Sequence, residues 1–129
     1  MALGWSPSYT DWLKATAGDP ASAEVRRDAG QLREIIDTAR RHNIGIGIVL
    51  FPETGFPLDA TYPFEFLHER VLAICQEEGI RCLDLRHDFA NVKDRRSLWV
   101  SRLDQHPSAR ANEIAAVKIL EAFQRDWVK

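Results

Sequence analysis

The chain has 129 residues, of which 45% are hydrophobic and 28% are charged, and its 17 basic and 19 acidic residues give a formal net charge of −2. A chain of this size forms one compact domain by default, and its scattered Lys and Arg residues make nucleic acid and anionic membranes poor candidates as partners. No segment approaches the roughly 20 apolar residues of a membrane span, and the amino terminus lacks a basic region, so we expect a cytoplasmic protein for the chain as given, leaving an upstream signal sequence open.

The first predicted element is a helix from about residue 20 to His42. Asp19 supplies a capping side chain, Pro20 suits the first helical position, and apolar residues then recur at helical spacing. The apolar run from Gly45 to Phe51 is typical of a strand that is buried on both faces of a parallel sheet. A loop rich in Gly, Pro and Thr follows from Glu53 to Tyr62.

A second helix, a second strand and a second loop follow in the same order. Helical spacing from Phe64 onward predicts a helix that ends at Gly79, and residues 80–85 predict a second short buried strand. From Arg86 to His106 the sequence is polar and has no periodicity, which predicts a long loop with a functional role. Pro107 then opens a last amphipathic helix.

The order helix, strand, helix, strand, helix predicts an α/β domain with helices packed on a parallel sheet. Two strands are too few, because an isolated pair would leave two sheet edges open. Residues 1–18 contain little that would form another buried strand. We therefore expect either that the chain contains further strands or that the sheet is completed by another chain or in a homo-oligomer.

Asp104 and His106 stand where the polar segment ends and the last helix begins. The partial positive charge at a helix start disfavours imidazolium, which would keep His106 neutral and suited to act as a general base. Residues i and i+2 of an extended segment project to the same side, so Asp104 can hold one ring nitrogen of His106 while the other faces a cleft. The sequence therefore predicts a catalytic Asp-His pair.

The segment from Asp104 to Ala109, running into a helix with Glu113-Ile114-Ala115-Ala116, resembles the last conserved block of SGNH/GDSL hydrolases. Residues 49–53 and 81–89 resemble the last two sheet strands of that family. The resemblance implies a three-layer α/β/α, flavodoxin-like parallel sheet, of which residues 1–129 form the carboxy-terminal portion. It also implies a serine esterase or lipase-like enzyme that needs no metal or organic cofactor. Its substrate would be a small carboxylic ester, such as an acetylated carbohydrate or a short acyl ester.

The chain departs from this family in two ways. Only Gln105 separates Asp104 from His106, whereas the family's usual spacing leaves two residues between them. The family's nucleophilic serine in a Gly-Asp-Ser motif, and its oxyanion Gly and Asn, have no counterpart. The chain's serines lie in other contexts: Ser6, Ser8, Ser22, Ser97, Ser101 and Ser108. We therefore expect the chain to supply Asp104 and His106 to a Ser-His-Asp triad and to be inactive alone.

Two other interpretations remain open. The chain can be a non-catalytic interaction domain that keeps the hydrolase scaffold and pairs with another chain through an exposed sheet edge. Alternatively, His87 and Asp88 can join Asp104 and His106 as ligands of a transition metal, although no ligand pair has a recognised spacing.

Five further side chains have both a structural and a functional interpretation. Arg95 and Arg96 suit bidentate contacts to a carboxylate or phosphate, but we expect them to be solvated surface charges. Trp99 is expected to be a plug under the loop more than a platform for substrate. Cys75 and Cys82 lack a zinc spacing and are too few for a disulfide framework, so we expect buried free thiols.

Overall fold

The computed structural model describes residues 8–127 as a mixed α/β structure. The helices are α1 Tyr9–Ala17, α2 Ala23–Arg41, α3 Glu65–Glu78, α4 Arg86–Ala90 and α5 Ala109–Trp127, with a 3-10 helix at Arg95–Leu98. The strands are β1 Gly47–Leu50, β2 Arg81–Asp84, β3 Trp99–Ser101 and β4 Asp104–Pro107. β1 pairs with β2 in parallel, and β3 pairs with β4 in antiparallel orientation. The predicted α/β class is thus confirmed. Within residues 8–127, no helix combines the length and apolar character needed to cross a membrane.

Local hydrogen bonds set the helix ends. α2 begins later than predicted because Ser22 caps it, with the Ser22 hydroxyl accepting the N–H of Val25 at 3.2 Å. The Asp19 carboxylate instead accepts the N–H of Ala21 at 2.8 Å and so closes a turn before the helix. α3 ends as predicted at Gly79, whose φ of 64° is left-handed.

The segment from Arg86 to His106, predicted as a loop, consists largely of short elements. α4 begins where the Asp84 carboxylate accepts the N–H of Arg86 at 2.9 Å, and the 3-10 helix and the β3–β4 hairpin follow. Elements of 3 to 5 residues are too short to show a hydrophobic period, so the sequence pattern missed them. The pattern also missed α1, which has no buried residue to mark its inner face.

The main apolar core lies between the end of β2, α4, the 3-10 helix and the start of α5. Its buried members are Leu85, Phe89, Leu98, Ala111 and Ala115. A second contact region joins α2 to α3 and α3 to β2. The core thus holds the β2–α4 turn and the base of α5 together, and these flank the β3–β4 hairpin.

β1 is less buried than its sequence predicts. Ile48, Val49 and Leu50 are only half-buried, and the flanking Ile44 and Phe51 are exposed. Within the described part of the chain, β1 pairs only with β2, so its other edge carries no strand. The expectation of a strand buried on both faces is therefore wrong for this chain by itself, because the neighbours that such a strand needs are not supplied by residues 8–127.

Cys75 and Cys82 are joined by a disulfide in the structure, so the expectation of two free thiols is wrong. Their Cα atoms are 6.1 Å apart, an ordinary distance for this bond. Cys75 is buried, as expected. The turn at Gly79 brings the end of α3 back against β2, and this proximity is not visible in the sequence spacing.

Candidate active site

Asp104 and His106 lie in β4 and form one hydrogen-bonded unit. The Nδ1 atom of His106 lies 2.5 Å from Oδ1 of Asp104, and the backbone N–H of His106 donates to the same oxygen at 3.0 Å. These hydrogen bonds favour the ionised carboxylate and lower the pKa of Asp104, with the backbone bond as the larger cause. The extended strand therefore places the acid beside the ring as the i, i+2 spacing predicts.

The ring of His106 faces solvent. Its side chain is 87% exposed, and within residues 8–127 the ring has no hydrogen-bond partner other than Asp104. When Nδ1 donates its proton to Asp104, Nε2 is left as an acceptor. This is the arrangement that a general base requires.

α5 begins later than predicted, because Pro107 completes β4 instead of opening the helix. The Ser108 hydroxyl accepts the N–H of Ala111 at 3.2 Å and so caps the first turn. His106 therefore precedes the cap, with its ring in water. The partial charge of a helix end acts mainly within the first turn, and His106 lies before that turn instead of at its start as the sequence predicted.

Asp104 and His106 line an open cleft of about 640 Å³. Its other wall comprises Tyr9 of α1 and the segment from Phe51 to Phe56 that follows β1. Trp99 fixes this wall, because its indole N–H lies 3.0 Å from the hydroxyl oxygen of Thr54 and 3.2 Å from the Thr54 carbonyl oxygen. Trp99 thus has the structural role predicted for it. The cleft lies beyond the carboxyl end of β1, where α/β sheets commonly bind ligands.

None of the serines in residues 8–127 hydrogen bonds to His106. Three of them cap helices: Ser8, Ser22 and Ser108. Ser97 donates to the carbonyl oxygen of Asp94, and the Ser101 hydroxyl accepts backbone N–H groups in the β3–β4 turn. Ser6 lies outside the described residues. The structure therefore brings acid and base together with no serine nucleophile beside them in its described part.

A second histidine–carboxylate pair, missed in the sequence, lies at the end of β2. The Nδ1 atom of His68 lies 2.9 Å from Oδ2 of Asp84, and the His68 side chain is only 10% exposed. The Tyr62 ring packs edge-on against His68 at 5.6 Å, and its hydroxyl accepts the N–H of Glu53 at 2.8 Å. Asp84 lies next to the end of the strand predicted over residues 80–85, where α/β proteins commonly place site residues, but a lone histidine on a helix gives no sign of its partner.

Arg86 and Glu65 extend this second pair into a cluster, called here the His68 cluster: Tyr62, Glu65, His68, Asp84 and Arg86. A nitrogen of Arg86 lies 2.6 Å from Oε1 of Glu65, and the guanidinium lies 5.7 Å from the centre of the Tyr62 ring. Burial raises the pKa of Tyr62, so its hydroxyl stays neutral at physiological pH. The cluster joins α3, the end of β2 and the segment after β1.

The other candidate residues do not converge on His106. Asp88 lies 3.7 Å from the ammonium of Lys118, and no group of three or more His, Cys, Asp or Glu side chains within residues 8–127 is placed to hold a metal ion. Arg96 is exposed as expected, whereas Arg95 is half-buried and packs over the Trp99 ring at 6.0 Å. For Arg95 the expectation of a solvated charge is wrong, because its guanidinium packs on the aromatic face of Trp99.

The Asp104–His106 pair and the cleft around it are therefore the features that bear on the chemistry of this site. Comparison of the chain with protein-family models, with curated proteins and with solved structures found no match.

Proposed function

We propose that this chain carries the Asp-His pair of a serine ester hydrolase of the SGNH/GDSL type. The nucleophilic serine would come from another polypeptide segment. The observation that supports this most is the 2.5 Å contact between Asp104 and the Nδ1 atom of His106, at the edge of a cleft and with the ring exposed. An acid that holds one ring nitrogen and leaves the other open is the arrangement used for proton transfer in serine hydrolases.

In the proposed reaction, Nε2 of His106 accepts the proton of a serine hydroxyl as that oxygen attacks the carbonyl carbon of a carboxylic ester. His106 then gives the proton to the leaving alcohol, which leaves an acyl-serine. Water then attacks the acyl-serine while Nε2 of His106 takes a proton from it, and His106 gives that proton to the serine oxygen as the bond between the acyl carbon and this oxygen breaks and the acid product leaves. Asp104 stabilises the imidazolium that forms at each step. Its ordinary pKa of 3.8 already leaves the carboxylate ionised at neutral pH, and its pKa is lowered further by the hydrogen bonds to His106.

We infer that the complete domain has three α/β/α layers, with β1 and β2 as the last two strands of a larger parallel sheet. The half-buried apolar residues of β1 and its unpaired edge support this inference. A strand added beside β1 would cover those residues and complete the backbone hydrogen bonds of that edge. It would also bring the end of a new strand near the cleft, where a serine could follow it.

The test is reconstitution of activity. Hydrolysis of p-nitrophenyl acetate would be measured for the chain alone and for the chain mixed with, or fused to, an amino-terminal half that carries a Gly-Asp-Ser motif. Free imidazole at equal concentration corrects for the background of exposed histidines. His106→Ala should abolish the activity of the mixture, and Asp104→Asn should lower it by about 10⁴-fold, as loss of the orienting acid does in serine proteases.

His87→Ala is the matched control, since it removes another exposed histidine. The proposal is supported if only the mixture is active and if this activity is lost in His106→Ala but kept in His87→Ala. Activity of the chain alone above imidazole would show that a nucleophile lies within it, and full activity in the His106→Ala mixture would show that His106 is not the base. Inactivity in both settings would favour the second candidate.

The second candidate is a non-catalytic interaction domain that keeps the hydrolase scaffold and pairs through the free edge of β1 with another chain or a second copy. The exposed Ile44 and Phe51 beside a half-buried apolar strand favour it. Sedimentation equilibrium of the chain alone tests the homomeric form. Self-association that Val49→Pro abolishes would support it, because proline removes a donor from the strand, and a monomer at high concentration would exclude it.

A further inference from the structure

A second cavity, of about 240 Å³, lies next to the His106 cleft. It is bounded by α1, by α3 and by the segment from Leu50 to Phe64. Its lining is aliphatic and aromatic except for Glu53 and His68. The cavity and the cleft share Tyr9, Phe51 and Glu53 in their walls, so the two spaces adjoin each other.

The polar groups around this cavity are largely engaged in contacts within the protein. His68 holds Asp84 through Nδ1, and the Tyr62 hydroxyl accepts the N–H of Glu53. An occupant would therefore gain most of its affinity from apolar contact, which favours a hydrocarbon chain over a sugar or a charged group. This also distinguishes the cavity from the cleft, which is lined by Arg102, Asp104 and Gln105 as well as His106.

We propose that this cavity is the acyl pocket of the site and receives the hydrocarbon chain of the ester whose carbonyl lies near His106. This assignment rests on the proposed function. At about 30 Å³ for a water-sized group, a volume of 240 Å³ corresponds to on the order of eight non-hydrogen atoms. The pocket is open to solvent, so it suits acyl chains of medium length, with acetyl too small to fill it and long fatty acyl chains extending beyond it.

The test uses binding, so it needs no nucleophile. Methyl esters of acetic, butanoic, hexanoic, octanoic and dodecanoic acids would be titrated into the ¹⁵N-labelled chain. Affinity should rise by about fourfold per methylene until the pocket is full and then level off. Amide shifts should be largest at residues 67 and 71 of α3, which line the pocket.

Leu67→Trp should fill the pocket and remove the dependence of affinity on chain length. Val100→Trp is the control, because Val100 is exposed on β3 and does not line the pocket. If Leu67→Trp does not fold, Leu13→Ala is the second variant. Leu13 is half-buried on α1 and lines this cavity but not the cleft, so its truncation should weaken the binding of hexanoate and longer esters.

Three results would overturn the assignment: affinity independent of chain length, shifts centred instead on a separate open groove lined by Gly47, Ile80 and Phe123 at the start of β1 and β2, or equal behaviour of Leu67→Trp and Val100→Trp. The result also separates this inference from the proposed function. If methyl hexanoate binds as expected but the reconstituted protein hydrolyses no ester, the pocket remains and the hydrolase proposal fails. If the reconstituted protein hydrolyses esters without preference for chain length and the methyl esters bind without it, only the pocket assignment fails.

Discussion

The two histidine–carboxylate pairs of this molecule have similar contacts and opposite surroundings. In each pair an Nδ1 atom meets a carboxylate oxygen, at 2.9 Å for His68 and Asp84 and at 2.5 Å for His106 and Asp104. The side chain of His68 is 10% exposed, whereas that of His106 is 87% exposed. The buried pair joins α3 to β2, while the exposed pair lies within one strand.

The difference in burial gives the two histidine–carboxylate pairs different roles. A buried pair that joins separate elements is costly to break, because the partner left behind has no water to replace the lost bond. An exposed pair adds little to stability, since water replaces each partner at small cost. That same exposure leaves the second ring nitrogen of His106 open to a substrate or a nucleophile. We therefore expect the buried pair to contribute to stability and the exposed pair to contribute to reactivity.

The largest effect should come from Asp84→Ala. This change leaves the buried His68 without its partner and removes the acceptor of the Arg86 N–H, so we expect the free energy of unfolding to fall by about 2–4 kcal/mol. Urea denaturation followed by circular dichroism measures this. Asp104→Ala is the matched control, and its denaturation midpoint should lie close to that of the wild type. Equal losses in the two variants would remove the distinction between the pairs.

A smaller effect should come from Tyr62→Phe, which tests the link between the buried pair and the cleft. The variant keeps the ring that packs on His68 but leaves the N–H of Glu53 without its acceptor, which should cost about 1 kcal/mol. Amide exchange at Glu53 should accelerate, while exchange in α5 should not change. Tyr9→Phe removes a hydroxyl from an exposed tyrosine and serves as the control. Unchanged exchange at Glu53 would show that the hydroxyl does not hold this wall.

The sequence predicted the exposed pair and missed the buried one for a physical reason. Asp104 and His106 are two residues apart in an extended segment, so local geometry alone brings them together. His68 and Asp84 meet only after α3 has folded back on β2 around Gly79. The same folding of α3 back on β2 brings Cys75 and Cys82 together, and it explains the disulfide that their spacing did not predict.

The fold was predictable to a similar extent. Helices with a hydrophobic period and strands with a continuous apolar run were located to within a few residues. Helix ends shifted where another side chain formed the cap, as Ser22 did in place of Asp19. The segment from Arg86 to His106 was misinterpreted because its short elements are held by tertiary contacts. Leu98 is fully buried there, and the Trp99 indole bonds to Thr54 across the cleft wall.

The smallest expected effect concerns the protonation of the exposed pair. Because the backbone N–H of His106 is the largest single cause of the lowered pKa of Asp104, His106→Ala should leave part of the shift in place. The midpoint measured by carboxyl ¹³C NMR should lie below the ordinary 3.8 in both proteins and be higher in the variant. Asp59, whose pKa is lowered by the Thr61 hydroxyl and N–H, is the internal control and should not move.

The sign of the pH dependence follows from this shift. A carboxyl group with a lowered pKa in the folded protein contributes stability above its ordinary pKa of 3.8, and that contribution is lost as the pH falls through the lowered value. For Asp104 the contribution should be small and sensitive to salt, since the group lies in water. A return of its midpoint to 3.8 in His106→Ala would show that the ring, not the strand backbone, holds the carboxylate. The acid would then depend on the imidazole for its ionisation, and the local geometry of β4 would not by itself prepare the pair for catalysis.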